Sequence, residues 1–232
     1  MKNTLSLYLL KALLCFLKWL PFPILYACSN IAYFVIFHLT HYRRKLVQQH
    51  LLNAFPKYTQ TQRNQLERKI YRNLADVTLE SLKGYSLTQQ QLNQRWRVTN
   101  AEILQPYYDR GQSVIFVTAH FINWEWGIAL GNQIPHHCIE FYKPLHNQYI
   151  NDYLLQCRES SGSELCSTAV ASRTFIKNRS KCCAYALIAD QHPAGTKQIH
   201  WVDFLHQDTA VMMGPELSAK KLKYPIFYIS GK

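Results

Sequence analysis

Apolar positions recur along this chain in two regimes. Residues 5–39 form a near-continuous apolar and aromatic run, broken by Lys11 and Lys18 and then by Pro21 and Pro23. Beyond His41 the apolar residues are spaced. Over 61–83, Leu66, Ile70, Leu74, Val77 and Leu82 predict the buried stripe of an amphipathic helix that stops at Gly84. Residues 100–109 predict a second helix, capped by Asn100 and ended near Gly111. From there short apolar runs alternate with helical spacing. Strands are predicted at 113–118, 138–142, 183–189, 200–204 and 226–230, and helices at 123–130, 147–160, 170–178 and 214–222. Such alternation predicts an α/β fold, a central and mostly parallel sheet flanked by helices. With no internal repeat and no linker, the chain divides into an apolar segment (1–40), a basic helical region (41–110) and an α/β core (111–232).

The stretch 19–39 carries no charge, and as a helix it would be about 30 Å long, roughly the hydrocarbon thickness of a bilayer. Two prolines near its start predict a break, giving one spanning helix or a shallow helical hairpin. Arg43, Arg44 and Lys45 follow at once, which by the positive-inside rule places the rest of the chain in the cytoplasm. A secretory signal fits poorly, because the run is too long and no small-x-small site precedes His41. The competing expectation is a buried hairpin in a soluble protein.

Charge sharpens this picture. Lys and Arg number 26 against 14 Asp and Glu, a formal net charge of +12, and between 41 and 100 eleven basic residues meet three acids. Such an excess predicts an anionic partner: acidic lipid, an acidic protein or nucleic acid. No recognition helix or aromatic-basic stacking motif supports the last. Seven cysteines without Cys-x-x-Cys spacing argue against a disulfide framework or a zinc ribbon, and His136-His137-Cys138 lacks a second ligand pair.

Chemistry-bearing residues gather at the ends of the predicted strands. His120 ends the first strand and Glu125 follows five residues later; Lys143 ends the second in Tyr142-Lys143-Pro144. Arg158-x-x-x-Gly162 closes the next helix, and Asp190-Gln191 opens a turn-rich loop to Gly195 after the third strand. The carboxyl ends of parallel strands are where open α/β sheets build sites, so these residues could share one crevice. An imidazole there suits proton transfer near neutral pH, with a carboxylate to hold its tautomer. Each also has a plainer explanation: Glu125 favours a helix start, Arg158 a helix end, Lys143 a solvated surface, and Asp190 and Gln191 a turn.

Taken together these motifs, with Asn123-Trp124-Glu125 the most specific and the run from Phe204 to Glu216, resemble the bacterial lipid A biosynthesis acyltransferases of the lysophospholipid acyltransferase superfamily. The resemblance covers nearly the whole chain. It implies transfer of a fatty acyl group from acyl carrier protein to a hydroxyl of a lipid A precursor at the inner membrane, with no cofactor or metal. His120 would be the general base, Glu125 its support, Lys143 and Arg158 anion-binding groups, and Asp190 and Gln191 contacts to the acceptor. A glycerophospholipid acceptor, or an inactive membrane-bound relic, are the alternatives. Family members usually continue for several tens of residues past the strand at 226–230; the chain is then either a naturally short member or a truncated product, and in the second case a sheet edge would be exposed.

Overall fold

The computed structural model describes residues 2–158, 162–193 and 199–231. Apolar runs without polar alternation suit strands buried on both faces; β1 (Val114–Thr118) and β4 (Cys183–Ile188) are such runs, and β2 (His137–Tyr142) is one interrupted by Glu140 after an exposed His137. With β3 (Glu164–Ser167) and β7 (Ile226–Tyr228) they form a five-stranded sheet, order β3-β2-β4-β1-β7, every pairing parallel. Val114, Phe116, Cys138 and Ala184 face one core with Leu104, Leu130 and Ile134. Ile115, Ile139, Cys183 and Tyr185 face the other with Phe175 of α8 (Ala171–Lys177) and Ala219 of α9 (Gly214–Leu222). The fold is α/β as expected. At the open edge, β7 leaves Ile226 and Tyr228 exposed.

Several elements depart from the predicted pattern. β3 and β6 (Asp208–Met212) were not expected. The run at 200–204 lies outside the main sheet: β5 (Ile199–Asp203) pairs antiparallel with β6 across a tight turn in which Leu205 and His206 both take positive φ. With neither glycine nor asparagine there, the sequence carries none of the usual hairpin signal. The helix expected at 123–130 is a 3₁₀ run over Trp124–Asn132. That expected at 100–109 begins as 3₁₀ and ends as α6 (Gln105–Tyr108), and the Asn100 side chain makes no capping bond. The last two residues of the helix predicted at 147–160 lie outside the described residues; α7 covers Gln148–Arg158.

The largest departure concerns α4 (Gln60–Gly84), which opens on a Thr59/Gln62 capping box. Its buried positions are Glu67, Tyr71, Ala75, Val77 and Lys83, while Ile70 and Leu74, expected in the stripe, are each 41% exposed. Charged residues can take a buried face when each is paired. Glu67 accepts from Arg44 Nε (2.9 Å) and Gln48 in α3 (Arg44–Ala54). Asp76 accepts from Ser29 of α2 (Phe22–Phe34), and Glu80 from Tyr26 of the same helix at 2.6 Å. Lys83, 4% exposed, donates to Leu17 O (2.7 Å) and Leu20 O (2.8 Å) at the end of α1 (Lys2–Trp19).

The apolar N-terminal helices therefore pack on the rest of the chain. Leu14, Leu17 and Leu25 are buried against Leu79 and Leu82 of α4 and Tyr153 and Leu154 of α7. Their outer faces leave Leu5, Phe16, Trp19 and Ile31 exposed. Among the described residues one helical stretch, Phe22–Leu39, is long and apolar enough to cross a membrane; its last turn, Val35–Leu39, is π-helical.

Replacing Lys83 by Met takes the Lys83 donor from the Leu20 carbonyl and leaves Leu17 O only its bond from the Leu20 N–H, but also removes a buried charge. We expect a net loss of about 2 kcal/mol of stability and faster proteolysis between α1 and α2, read by unfolding and limited digestion in detergent.

Candidate active site

The parallel register places the two principal groups. β1 and β4 run side by side with Thr118 opposite Ile188, so two residues further on His120 comes opposite Asp190. One Asp190 oxygen accepts from the His120 backbone N–H at 2.8 Å and the other meets the ring Nδ1 at 2.7 Å. A carboxylate only accepts, so Nδ1 carries the proton and Nε2 keeps its lone pair. The Gln191 amide nitrogen lies 3.3 Å from that Nε2. Trp124 packs edge-on against the imidazole, ring centroids 4.9 Å apart. The ring is thus held in one tautomer and one orientation, half-exposed at the carboxyl end of the sheet.

Glu125 stands elsewhere. After His120 the chain turns through Ile122 at positive φ, and Asn123 is buried and bolted to α4, its amide donating to Glu80 at 3.0 Å. Trp126 donates to the Glu80 carbonyl at 3.2 Å. This clamp sends the Glu125 carboxylate toward α4 and α7, where Arg158 forms an ion pair with it and Tyr85 donates to it at 3.1 Å. Arg158 also bonds Tyr85 and lies over its ring. The carboxylate in contact with the imidazole is therefore Asp190, in the position expected of Glu125. Burial, reinforced by the Glu125 charge, pushes the Tyr85 hydroxyl far above its ordinary pKa, so it stays a donor.

Next to this cluster, Glu140 on β2 accepts from Ser163 at 2.8 Å. Burial raises its carboxyl pKa, and nearby Glu125 adds to the rise. Gly162 sits at a φ of 81°, where a Cβ would run into the Asn132 amide, which accounts for the glycine of Arg158-x-x-x-Gly162. A cleft above the cluster is lined by Gly84, Tyr85, Leu92, Trp126, Ile128 and Arg158. Gly84 is needed there too: a Cβ would lie 2.9 Å from Trp126 Nε1.

Lys143 follows β2 at the same end of the sheet, exposed and without an ion-pair partner among the described residues. Five of the six expected residues fall into two contact groups, His120 with Asp190 and Gln191, and Glu125 with Arg158. Sequence reasoning missed Tyr85 and Glu80, which carry no local signal; Trp124 lay inside the motif it had singled out. Ala194 and Gly195 of the Asp190 motif lie outside the described residues. His137 pairs with Glu164 at 2.8 Å and His136 with the Gln112 carbonyl, and among the described residues no group of three metal-ligating side chains forms.

The family model of bacterial lipid A biosynthesis acyltransferases matches residues 1–229. The chain belongs to that family. A search of curated proteins returns no match. As a lipid A acyltransferase by family it is an enzyme that transfers acyl groups, and its apolar first helices suit a family that works on membrane lipids.

Two outcomes are expected of this site in the acyltransferase. Nitrogen-15 NMR will show His120 protonated at Nδ1 and not at Nε2, with Asp190→Asn disturbing that assignment. Because the folded state holds its Glu140 proton to higher pH than the unfolded chain does, stability falls as pH rises from the unfolded carboxyl value of 4.5 through the raised one. Glu140→Gln will remove that slope from an unfolding-versus-pH series.

Proposed function

We propose that the acyltransferase moves a fatty acyl chain from an acyl-carrier-protein thioester to a hydroxyl of a lipid A precursor, with His120 as general base and Asp190 holding it. The observation that carries this is the Nδ1–carboxylate bond at a strand end, which leaves the basic lone pair on Nε2, where the Gln191 amide nitrogen lies and an acceptor hydroxyl would take its place. The acceptor hydroxyl gives its proton to Nε2 as its oxygen attacks the thioester carbonyl. Collapse of the tetrahedral intermediate breaks the carbon–sulfur bond, and the imidazolium returns its proton to the departing thiolate. Asp190 stabilises the imidazolium between these steps, as the acid of a Ser-His-Asp triad does. The acceptor oxygen attacks directly, and neither Cys138 nor Cys183 competes, since burial pushes both thiols up and away from thiolate.

Glu125 and Arg158 act as a pair. Their mutual neutralisation with Tyr85 fixes the floor of the cleft, and Arg158 presents its remaining donors to negative charge that develops there. Lys143, without an ion-pair partner among the described residues, is a cation that would meet a phosphate of the acceptor, and Gln191 steers the attacking oxygen toward Nε2. A chain of net charge +12 suits both an acidic carrier protein and a multiply anionic glycolipid. Arg43, Arg44 and Lys45 after the apolar helices support a catalytic domain on the cytoplasmic face of the inner membrane.

The decisive assay incubates membrane-reconstituted protein with acyl-loaded carrier protein and a tetra-acylated lipid A precursor and weighs the lipids by mass spectrometry. One added acyl mass is expected. His120→Ala should lower its rate by roughly 10²–10⁴-fold and Asp190→Asn by about 10²-fold. Product formation unchanged by either substitution would remove His120 from the chemistry. Acylation of lysophospholipid alone would change the acceptor.

A further inference from the structure

Beyond the N-terminal helices, a second apolar surface projects beside the candidate site. Leu145 and Tyr149 flank the start of α7 and are 48% and 56% exposed. They stand on a built loop: the buried Asn151 side chain accepts from the Leu145 N–H at 3.1 Å, and Asn147 accepts from the Ile150 N–H. An exposed apolar pair on a loop held this firmly needs a covering partner more than a chance surface leucine does.

The same loop is tied to α1. Asn147, midway between Leu145 and Tyr149, donates to Ser6 at 2.9 Å, and Lys11 lies over the Tyr153 ring at 4.8 Å. α1 turns Leu5, Tyr8, Leu9, Phe16 and Trp19 outward on one stripe, carries Lys2, Lys11 and Lys18, and has no acidic residue. This is the composition of a helix that lies in the plane of an anionic interface. Lys143 extends the positive charge along the loop toward the strand ends.

We infer that Leu145 and Tyr149 dip into the same lipid leaflet as the outer face of α1, making the β2–α7 loop a second bilayer contact. This rests on the membrane-bound assignment above. Docked in this way, the carboxyl ends of the strands, and with them His120, face the headgroup layer. An acceptor glycolipid could then reach Nε2 while its existing acyl chains stay in the bilayer.

The test is photocrosslinking of the full chain in vesicles of zwitterionic and anionic phospholipid, which needs no turnover. p-Benzoylphenylalanine is placed at 145, at 149 and, as control, at Ile176, which is 72% exposed near the amino-terminal ends of the strands. Phospholipid adducts at 145 and 149, at least tenfold above 176, are expected. Equal labelling at all three sites, no lipid adduct, or adducts only to a second copy or to added carrier protein would overturn the inference. A second arm compares Leu145→Asp and Tyr149→Asp on acceptor held in vesicles and on acceptor dispersed in detergent. A loss of about tenfold is expected in vesicles only, and an equal loss in both would mark a folding or catalytic defect instead. If no variant, wild type included, acylates the lipid A precursor while adducts still form, the activity assignment fails and the docking surface stands.

Discussion

An uncompensated buried charge costs several kcal/mol, and α4 turns charged groups inward along most of its length. Each must be met, and the groups that meet them come from three other helices and one loop. Glu67 is answered from α3, Asp76 and Glu80 from α2, Lys83 from the last carbonyls of α1, and Glu80 a second time from Asn123 in the loop that follows His120. One helix thereby sets both the seat of the apolar N-terminal helices and the path of the loop that follows His120. Phe22 makes the connection tangible: it sits under the Arg95 guanidinium and packs edge-on against Trp126, next to Glu125.

The two carboxylates of the site divide their work because their surroundings differ. Asp190 lies on a half-open strand end beside an imidazole, where its charge strengthens when the ring gains a proton. Glu125 lies in a more enclosed cluster against a guanidinium and a phenol, where its charge is already matched and cannot answer a change at His120 to the same degree. Substituting either one removes an acid, but only the first removes the partner of the His120 imidazole.

Much of this was legible in the sequence, and what was not has identifiable causes. The strands β1 and β4 could be read because strands buried on both faces need unbroken apolar runs, and β2 because its apolar run is interrupted only at Glu140. The chemistry could be located because parallel strands collect their ends. The pairing of His120 with Asp190 could not, since it depends on the register of two strands 70 residues apart, and no local spacing encodes a register. His-x-x-x-x-Glu suggested a neighbour in sequence where the fold supplied one from the next strand. On α4 the apolar period pointed to Ile70 and Leu74, whereas the buried face was chosen by polar groups whose partners lie far away in the chain. The β5–β6 hairpin escaped notice because its turn is made by Leu205 and His206 against their conformational preference.

The bond from Lys83 to the end of α1 also orders events at the ribosome. Synthesis runs from the amino terminus, so α1 and α2 emerge as two apolar helices before residue 83, whose ammonium bonds the Leu17 and Leu20 carbonyls between them, has been made. In that interval the hairpin can be received by a bilayer but has no docking seat on its own domain. The apolar pair is therefore complete before the helix that seats it exists, and the crevice is assembled afterwards against helices already made.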